Sequence, residues 1–431
     1  MMKQIAIIAD DLTGANDSGI QLTEKGINTS VLFQIPKKIK FLSEGVVIDT
    51  NSRALSREKA ISVTTESAKF IKNLNYMHVY KKMDSTLRGH IGHELQAMGN
   101  VLEARFIVVI PAFPEMGRIT RDGYHYVHGK LISETEIAKD PKHPVTESHI
   151  PSLIEKQIDE KVGLITKEDL ESDKKFQEKL EIIHARNIRI ICCDAETEKD
   201  LKNAAKKFIK ETNQIIWAGS AGLAEVLPEM LGIEKEKQSV SYEYSNFAMT
   251  VCGSLSEKTQ VQVNYALHQP GVEGIELNPL YMFQKDWEEH KATYQKACMK
   301  ILAEEKDIVL YVPSNEDIRS QVKETGMKLG LSNNEIGETI SARIAELVVD
   351  IKSQFPKLDR FVLTGGDTAK AITQKLGAIG LHLIKQVEPG IPLVSLIGEN
   401  ESLVITKAGA FGKKDSIYHA MMEMKGEEVY E

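Results

Sequence analysis

The chain has little of what staples or stretches a protein. Its four cysteines, Cys192, Cys193, Cys252 and Cys298, include no C-x-x-C spacing. A disulfide framework, a zinc ribbon and a thioredoxin-type redox pair are therefore all unsupported. Aromatic residues make up only 6%, but hydrophobic residues reach an ordinary 42% over 431 residues. That balance excludes disordered and fibrous classes and leaves enough apolar side chain for two or three cores. No apolar run approaches the roughly 18 residues a membrane-crossing helix needs. The start, Met1-Met2-Lys3-Gln4, runs at once into a short apolar stretch and two aspartates, unlike a secretory signal, so a cytoplasmic location is expected. Basic residues are outnumbered, 54 Lys and Arg against 62 Asp and Glu, for a net charge of −8 with no basic block. Nucleic acid and membrane surfaces are poor partners for such a chain, and an anionic ligand must be held by a few placed groups.

What is present is alternation. Short Val/Ile/Leu runs recur at Gln4–Ala9, Thr29–Phe33, Gly45–Thr50, His78–Lys82, Phe106–Ile110, Ile188–Cys193 and Gln214–Ala218. They continue at Phe247–Cys252, Ile308–Val312, Arg360–Leu363 and Leu403–Thr406. Near-continuous apolar runs suit strands buried on both faces. Helix-like segments lie between them, among them Arg57–Lys72, Glu198–Lys210, Trp287–Glu305 and Glu335–Ser353. The fold class expected is α/β, with mostly parallel sheets flanked by helices. The polar stretch Ile233–Asn246 divides the chain into a domain over 1–235, a linker over 236–246 and a domain over 247–431. Two such domains are expected to enclose the active site in a cleft between them.

Ligands of parallel sheets sit beyond the carboxyl ends of strands, so the residues just after each run carry most weight. Asp10-Asp11 follow the first run, with Asp17 close behind. One acid could cap the helix starting near Thr13–Gly14, but three acids in eight positions exceed what a cap needs. Lys81–His90 follows another run with four charges and two hydroxyls, and Arg53 follows a third. A guanidinium fork and an ammonium suit a carboxylate or phosphate. The Pro- and Gly-punctuated stretch from Pro111 to Gly129 reads as a binding loop. His90, His93, His125 and His128 show no H-E-x-x-H pattern, and no protein-held metal is assigned to them.

In the second half, Cys252–Ser256, Leu363–Ala369 and Lys407–Gly412 each place small residues between a strand and a following segment. Such turns let backbone N–H groups approach phosphate oxygens, and three in one domain suggest a nucleotide cradle. The P-loop and G-x-G-x-x-G patterns are absent. Ala218–Gly222 resembles a relaxed nucleophile elbow around Ser220, but no acid and histidine follow in persuasive places, so a tight strand-to-helix connection is the better reading.

The chain resembles the four-carbon acid sugar kinase family along essentially its whole length. The likeness is carried by Ile8–Asp17 (IADDLTGAND), Lys82–Gly89 (KMDSTLRG), Pro111–Arg118 (PAFPEMGR) and Gly123–Gly129 (GYHYVHG). It extends through Glu134–Pro144, Gly253–Ser256, Thr364–Thr368 and Lys407–Gly412. The resemblance implies an N-terminal sugar-acid domain, a C-terminal ATP domain, and phosphorylation of the terminal hydroxyl of threonate or erythronate. By position it implies that Asp10, Asp11, Arg53, Lys82, Met83, Asp84 and Ser85 meet the sugar acid, with Asp10 and Asp11 catalytic. Ser254, Ser256, Gly365, Gly366, Asp367, Thr368 and Gly409 would meet ATP, and Mg²⁺ would arrive with the nucleotide. Arg53 and Lys82 are the expected carboxylate holders. Asn16 resembles the threonate branch, where the erythronate branch more often has Thr. Leu12 where Phe is common and Arg121-Asp122 before Gly123 are departures that touch no expected ligand. A kinase of D-erythronate or another small aldonate, and a non-catalytic sugar-acid sensor, are the alternatives; association into homo-oligomers is left open.

Overall fold

The computed structural model describes residues 3–36, 43–140, 143–236, 242–398 and 402–427. The chain divides into two compact units, 1–238 and 239–431. Part of the expected linker, 237–241, lies outside the described residues. On its near side Lys235 N–H donates to the Lys25 carbonyl at 3.0 Å. On its far side Ser245 N–H donates to the Met424 carbonyl at 3.2 Å, and Arg360 Nη2 donates to the Glu243 carbonyl at 2.6 Å. The described flanks are therefore packed against their own units.

The first unit contains strands β1 (Ile5–Ala9), β2 (Thr29–Leu32), β3 (Gly45–Asp49), β4 (His78–Lys82) and β5 (Phe106–Ile110). A small antiparallel sheet follows, β6 (Arg118–Arg121), β7 (Tyr124–Val127) and β8 (Lys130–Leu131). Then come β9 (Val162–Ile165), β10 (Ile190–Cys193) and β11 (Ile215–Gly219). The main sheet runs β2-β3-β1-β4-β11-β5-β10-β9, and its pairings are parallel. Strands β1, β3, β5 and β11 are buried throughout, as their unbroken apolar runs require. Each fully buried Ile or Val side chain contributes about 1.5–3 kcal/mol. Because β3, β1, β4 and β11 are neighbours in register, their carboxyl ends bring Asp49–Arg53, Asp10-Asp11, Lys82–Gly89 and Ser220 to one edge.

The second unit contains β12 (Met249–Cys252), β13 (Val272–Glu276), β14 (Asp307–Tyr311), β15 (Arg360–Thr364), β16 (Ala378–Glu388), β17 (Ile391–Gly398) and β18 (Leu403–Lys407). Their order is β13-β14-β12-β15-β18-β17-β16. The strands from β13 to β18 in that order pair in parallel, while β17 is antiparallel to both β18 and β16. Every strand expected from an apolar run is present within two residues at each end. Strands β6, β7, β8, β9, β13, β16 and β17 fall outside those runs. Polar side chains interrupt Ala378–Glu388 (AIGLHLIKQVE), so it carries no continuous run. The Pro389-Gly390 turn before β17, with Gly390 at φ 75°, was the available hairpin signal.

Candidate active site

In the first unit the chemistry gathers where β1 ends. Asp11 caps the helix Leu12–Glu24, its Oδ1 accepting from Gly14 N–H at 2.9 Å. Capping is thus real but uses one oxygen only. Arg53 takes the rest of the cluster. Its Nε and Nη2 donate to the two carboxylate oxygens of Asp10 at 3.0 and 2.9 Å, and its Nη1 donates to Asp11 Oδ2 at 2.9 Å. Asp10 is 4% exposed at its side chain and Asp11 is 28% exposed, so only the second is open to a ligand. Burial alone would favour a neutral Arg53, but the Asp10 charge and hydrogen bonds outweigh it, with Asp11 and Asp84 adding to the effect, and keep the guanidinium protonated.

The loop after β4 closes over this cluster. A Cβ on Gly89, which has φ 105°, would lie 3.5 Å from Arg53 Cγ and 3.9 Å from Asp10 Oδ2. Lys81 and Lys82 are consecutive strand residues and point to opposite faces. Lys81 forms a fully buried ion pair with Glu94 at 2.6 Å, a structural contact on the far face. Lys82 turns toward the acids: the position a Gly14 Cβ would fill lies 2.8 Å from both Lys82 Nζ and Asp11 Oδ1. Gly14 thus leaves the space between cation and carboxylate open. Asp17 belongs to the same neighbourhood. Burial pushes its carboxyl up to about 6; Lys82 opposes that and Asp11 reinforces it.

Met83 is buried and its N–H is spent on the Gly219 carbonyl at 2.9 Å, so it packs the loop against β11. Asp84 accepts from Thr86 Oγ1 at 2.6 Å and Arg88 Nε at 2.5 Å. Burial would raise its carboxyl, but Arg53, Arg88 and Thr86 together hold it down at about 2. Ser85 is clipped from outside by the small sheet. Arg118 Nη1 donates to Ser85 Oγ at 2.5 Å, and His125 Nε2 lies 2.9 Å from the Ser85 carbonyl. A carbonyl only accepts, so Nε2 carries the proton, and burial holds that imidazole neutral, lowered to about 4.

The sheet that presents Arg118 and His125 is built for the purpose. Its β6–β7 connection is Asp122-Gly123, both at positive φ, as a tight hairpin turn demands. The two turn N–H groups donate to Asp194 at 2.7 and 2.9 Å, hanging the hairpin from the end of β10. Arg118 and His125 lie in the PAFPEMGR and GYHYVHG motifs but outside the set of expected site residues. Ser220 is completely buried: its Oγ caps the helix Ala221–Met230 and donates to the Ala112 carbonyl at 3.2 Å. A nucleophile needs access, so the connection reading holds.

In the second unit, β12, β15 and β18 are adjacent, with Cys252, Thr364 and Lys407 in register. Their three following turns therefore meet. A Cβ on Gly253 would sit 2.0 Å from Thr368 Oγ1, one on Gly365 would sit 3.2 Å from Ser254 N, and one on Gly409 would sit 2.2 Å from Ser254 Oγ. These glycines are required by contact between turns. Ser256 caps the helix Glu257–Leu267 and its Oγ lies 2.7 Å from the Gly409 carbonyl, a structural task. Ser254 and Thr368 face the same junction. Gly366 opens the helix Gly366–Lys375, which no side chain caps, and a Cβ there would meet nothing within 4 Å. Open space above uncapped N–H groups is what an anionic phosphate fits. Asp367, in the first helical turn, is exposed. Lys407 is buried at the base, donating to the Ala408 and Phe411 carbonyls at 3.1 and 3.3 Å; burial lowers it to about 8, opposed by Cys252 and Glu388 and reinforced by the Lys258 charge.

Comparison with known proteins matches two family models to the chain. Residues 5–227 match the sugar-binding N-terminal domain and residues 249–417 the nucleotide-binding C-terminal domain. The chain is 31% identical to a D-threonate kinase of Salmonella typhimurium, over 100% of this chain and 99% of that protein. It is 29% identical to a D-erythronate kinase of Heliobacterium modesticaldum, over 96% and 95%. It is 26% identical to a 3-oxo-tetronate kinase of Salmonella typhimurium, over 98% and 100%. The chain belongs to the four-carbon acid sugar kinase family. Among the described residues, no helix is long and apolar enough to cross a membrane.

Proposed function

We propose that this chain transfers the γ-phosphoryl group of ATP to the C4 hydroxyl of D-threonate, giving 4-phospho-D-threonate. The observation that carries the reading is the buried cluster in which Arg53 holds Asp10 by two hydrogen bonds and Asp11 by a third. Such a pre-paired cluster fixes a partly exposed carboxylate in the sugar-binding domain, where it can orient a hydroxyl and take its proton. The 31% identity to a D-threonate kinase supports threonate as the acceptor.

Phosphoryl transfer needs positioning and charge neutralisation more than covalent help. Asp11, the more exposed of the pair, orients the attacking hydroxyl and accepts its proton late in the transfer. Asp10 keeps Arg53 charged and fixed. The Gly365–Thr368 turn, Ser254 and the Gly409 turn receive the phosphates, and Lys407 holds the last of these turns in shape. Mg²⁺ fits this donor set as an ion carried mainly by phosphate oxygens and water, with exposed Asp367 as the carboxylate that would help hold it. It would neutralise charge developing between the β- and γ-phosphates.

An ADP-release assay across D-threonate, D-erythronate, 3-oxo-tetronate and five- and six-carbon aldonates tests this. The expected result is the highest kcat/KM with D-threonate. A higher value with another four-carbon acid would move the substrate within the family. No release with any acid would leave a non-catalytic sensor and overturn the kinase reading.

A further inference from the structure

A sugar acid brings a carboxylate that must be paired with a cation once desolvated. The sequence points to Arg53 and Lys82 for that task. The structure turns both toward the acids that follow the first strand. Arg53 donates to Asp10 and Asp11, and Lys82 Nζ donates to the Met83 carbonyl and acts through its charge on the Asp17 carboxyl. Lys81 is paired with Glu94, and Arg88 with Asp84 and Asp140. Arg118 differs. Like Lys82 it makes no ion pair among the described residues, but its Nη1 donates to the neutral Ser85 hydroxyl and its Nε is buried with no acceptor.

We propose that Arg118, together with the Ser85 hydroxyl it holds, binds the carboxylate of the sugar acid. The assignment rests on the kinase reading above and names the group that gives it its acid specificity. Ser85 Oγ accepts from Arg118, which leaves its own O–H available to donate to a ligand beside the guanidinium. A carboxylate then receives two charge-assisted or hydroxyl donors from one locus. His125 fixes that locus by donating to the Ser85 carbonyl, and the Asp194-anchored turn fixes the sheet carrying both side chains. Electrostatics sets the direction of the substrate. A carboxylate placed against Asp10 and Asp11 would face two like charges, whereas the opposite end, a hydroxyl, is what those acids can accept from. The acid end belongs at Arg118 and the reacting end at Asp11.

The test compares D-threonate with threitol, the neutral four-carbon polyol, in the wild-type protein and in Arg118→Gln, Arg118→Lys and Ser85→Ala. Removing a charged donor should raise KM for D-threonate about 100-fold in Arg118→Gln and about tenfold in Ser85→Ala. KM for ATP should stay within about threefold, and binding of threitol, followed by calorimetry, should weaken far less than binding of D-threonate, so the preference for acid over polyol shrinks. Arg118→Lys, which keeps the charge and can still reach Ser85, should recover part of the loss; it also serves if Arg118→Gln folds poorly. Equal losses with threitol and D-threonate, or an unmoved KM for D-threonate, would overturn the assignment while leaving the kinase reading intact. No ADP release by the wild-type protein with any four-carbon acid would overturn both.

Discussion

The two units solve the problem of holding an anion in opposite ways. The first assembles charges in advance: Arg53 with Asp10 and Asp11, Arg88 with Asp84 and Asp140, Lys81 with Glu94. The second assembles almost none. Its three turns meet through glycines and hydroxyls, with Lys407 alone buried at the base. The contrast follows from the ligands proposed for them. A small hydroxylated acid must be oriented atom by atom, which paired charges do. A chain of phosphates needs many close N–H groups and room, which small residues at uncapped turns give. Removing a charge should therefore hurt the first unit, and adding bulk should hurt the second.

The largest expected effect lies in the first unit. Asp11→Asn should lower kcat about 1,000-fold, the scale of a lost general base, with KM for ATP changed less than about threefold in an ADP-release assay. A variant with near-normal turnover would show that the pre-paired acids are architecture only. Next comes acid stability. The folded state holds His125 neutral down to about 4, while the unfolded chain protonates it near its ordinary value of 6.5. Stability from this group is thus fully present above 6.5 and is lost as pH falls through 4, by about 3 kcal/mol. Denaturant midpoints from pH 7 to 4 should show that slope, and His125→Leu should flatten it.

In the second unit, Gly366→Val adds bulk to open space, so it should raise KM for ATP about 30-fold without lowering Tm. Gly409→Ala should differ, because its Cβ would collide with Ser254 and lower Tm as well. The smallest effect concerns Lys407. As an ammonium it donates to two carbonyls of the Ala408–Gly412 turn; above about 8 it loses the proton and the turn loosens. KM for ATP should rise about tenfold as pH climbs past 8, and Lys407→Met should remove that dependence. The folded state favours neutral Lys407, so between about 8 and its ordinary value of 10.5 stability should rise with pH, opposite in sign to ATP affinity.

Much of this was legible in the chain itself. Parallel strands buried on both faces leave uninterrupted apolar runs, so β1, β3, β5, β11, β12, β15 and β18 could be read directly, and with them the residues at their carboxyl ends. What could not be read was partner choice. Arg53, expected on a substrate carboxylate, is bound by neighbours 42 and 43 positions away, a pairing that only the β1–β3 register creates. Strand alternation alone would have separated Lys81 from Lys82, but Glu94 as its partner needed the packed helix. Arg118 and His125 stayed hidden because a β-hairpin hung on Asp194 carries them back to Ser85.

The division of labour is tested most directly by calorimetric titration of D-threonate and a non-hydrolysable ATP analogue into two variants, Arg53→Gln and Gly366→Val. Arg53→Gln should weaken D-threonate at least about 30-fold and leave the nucleotide analogue alone, with Gly366→Val doing the reverse. Either variant weakening both ligands equally, or D-threonate losing affinity only in Gly366→Val, would contradict it.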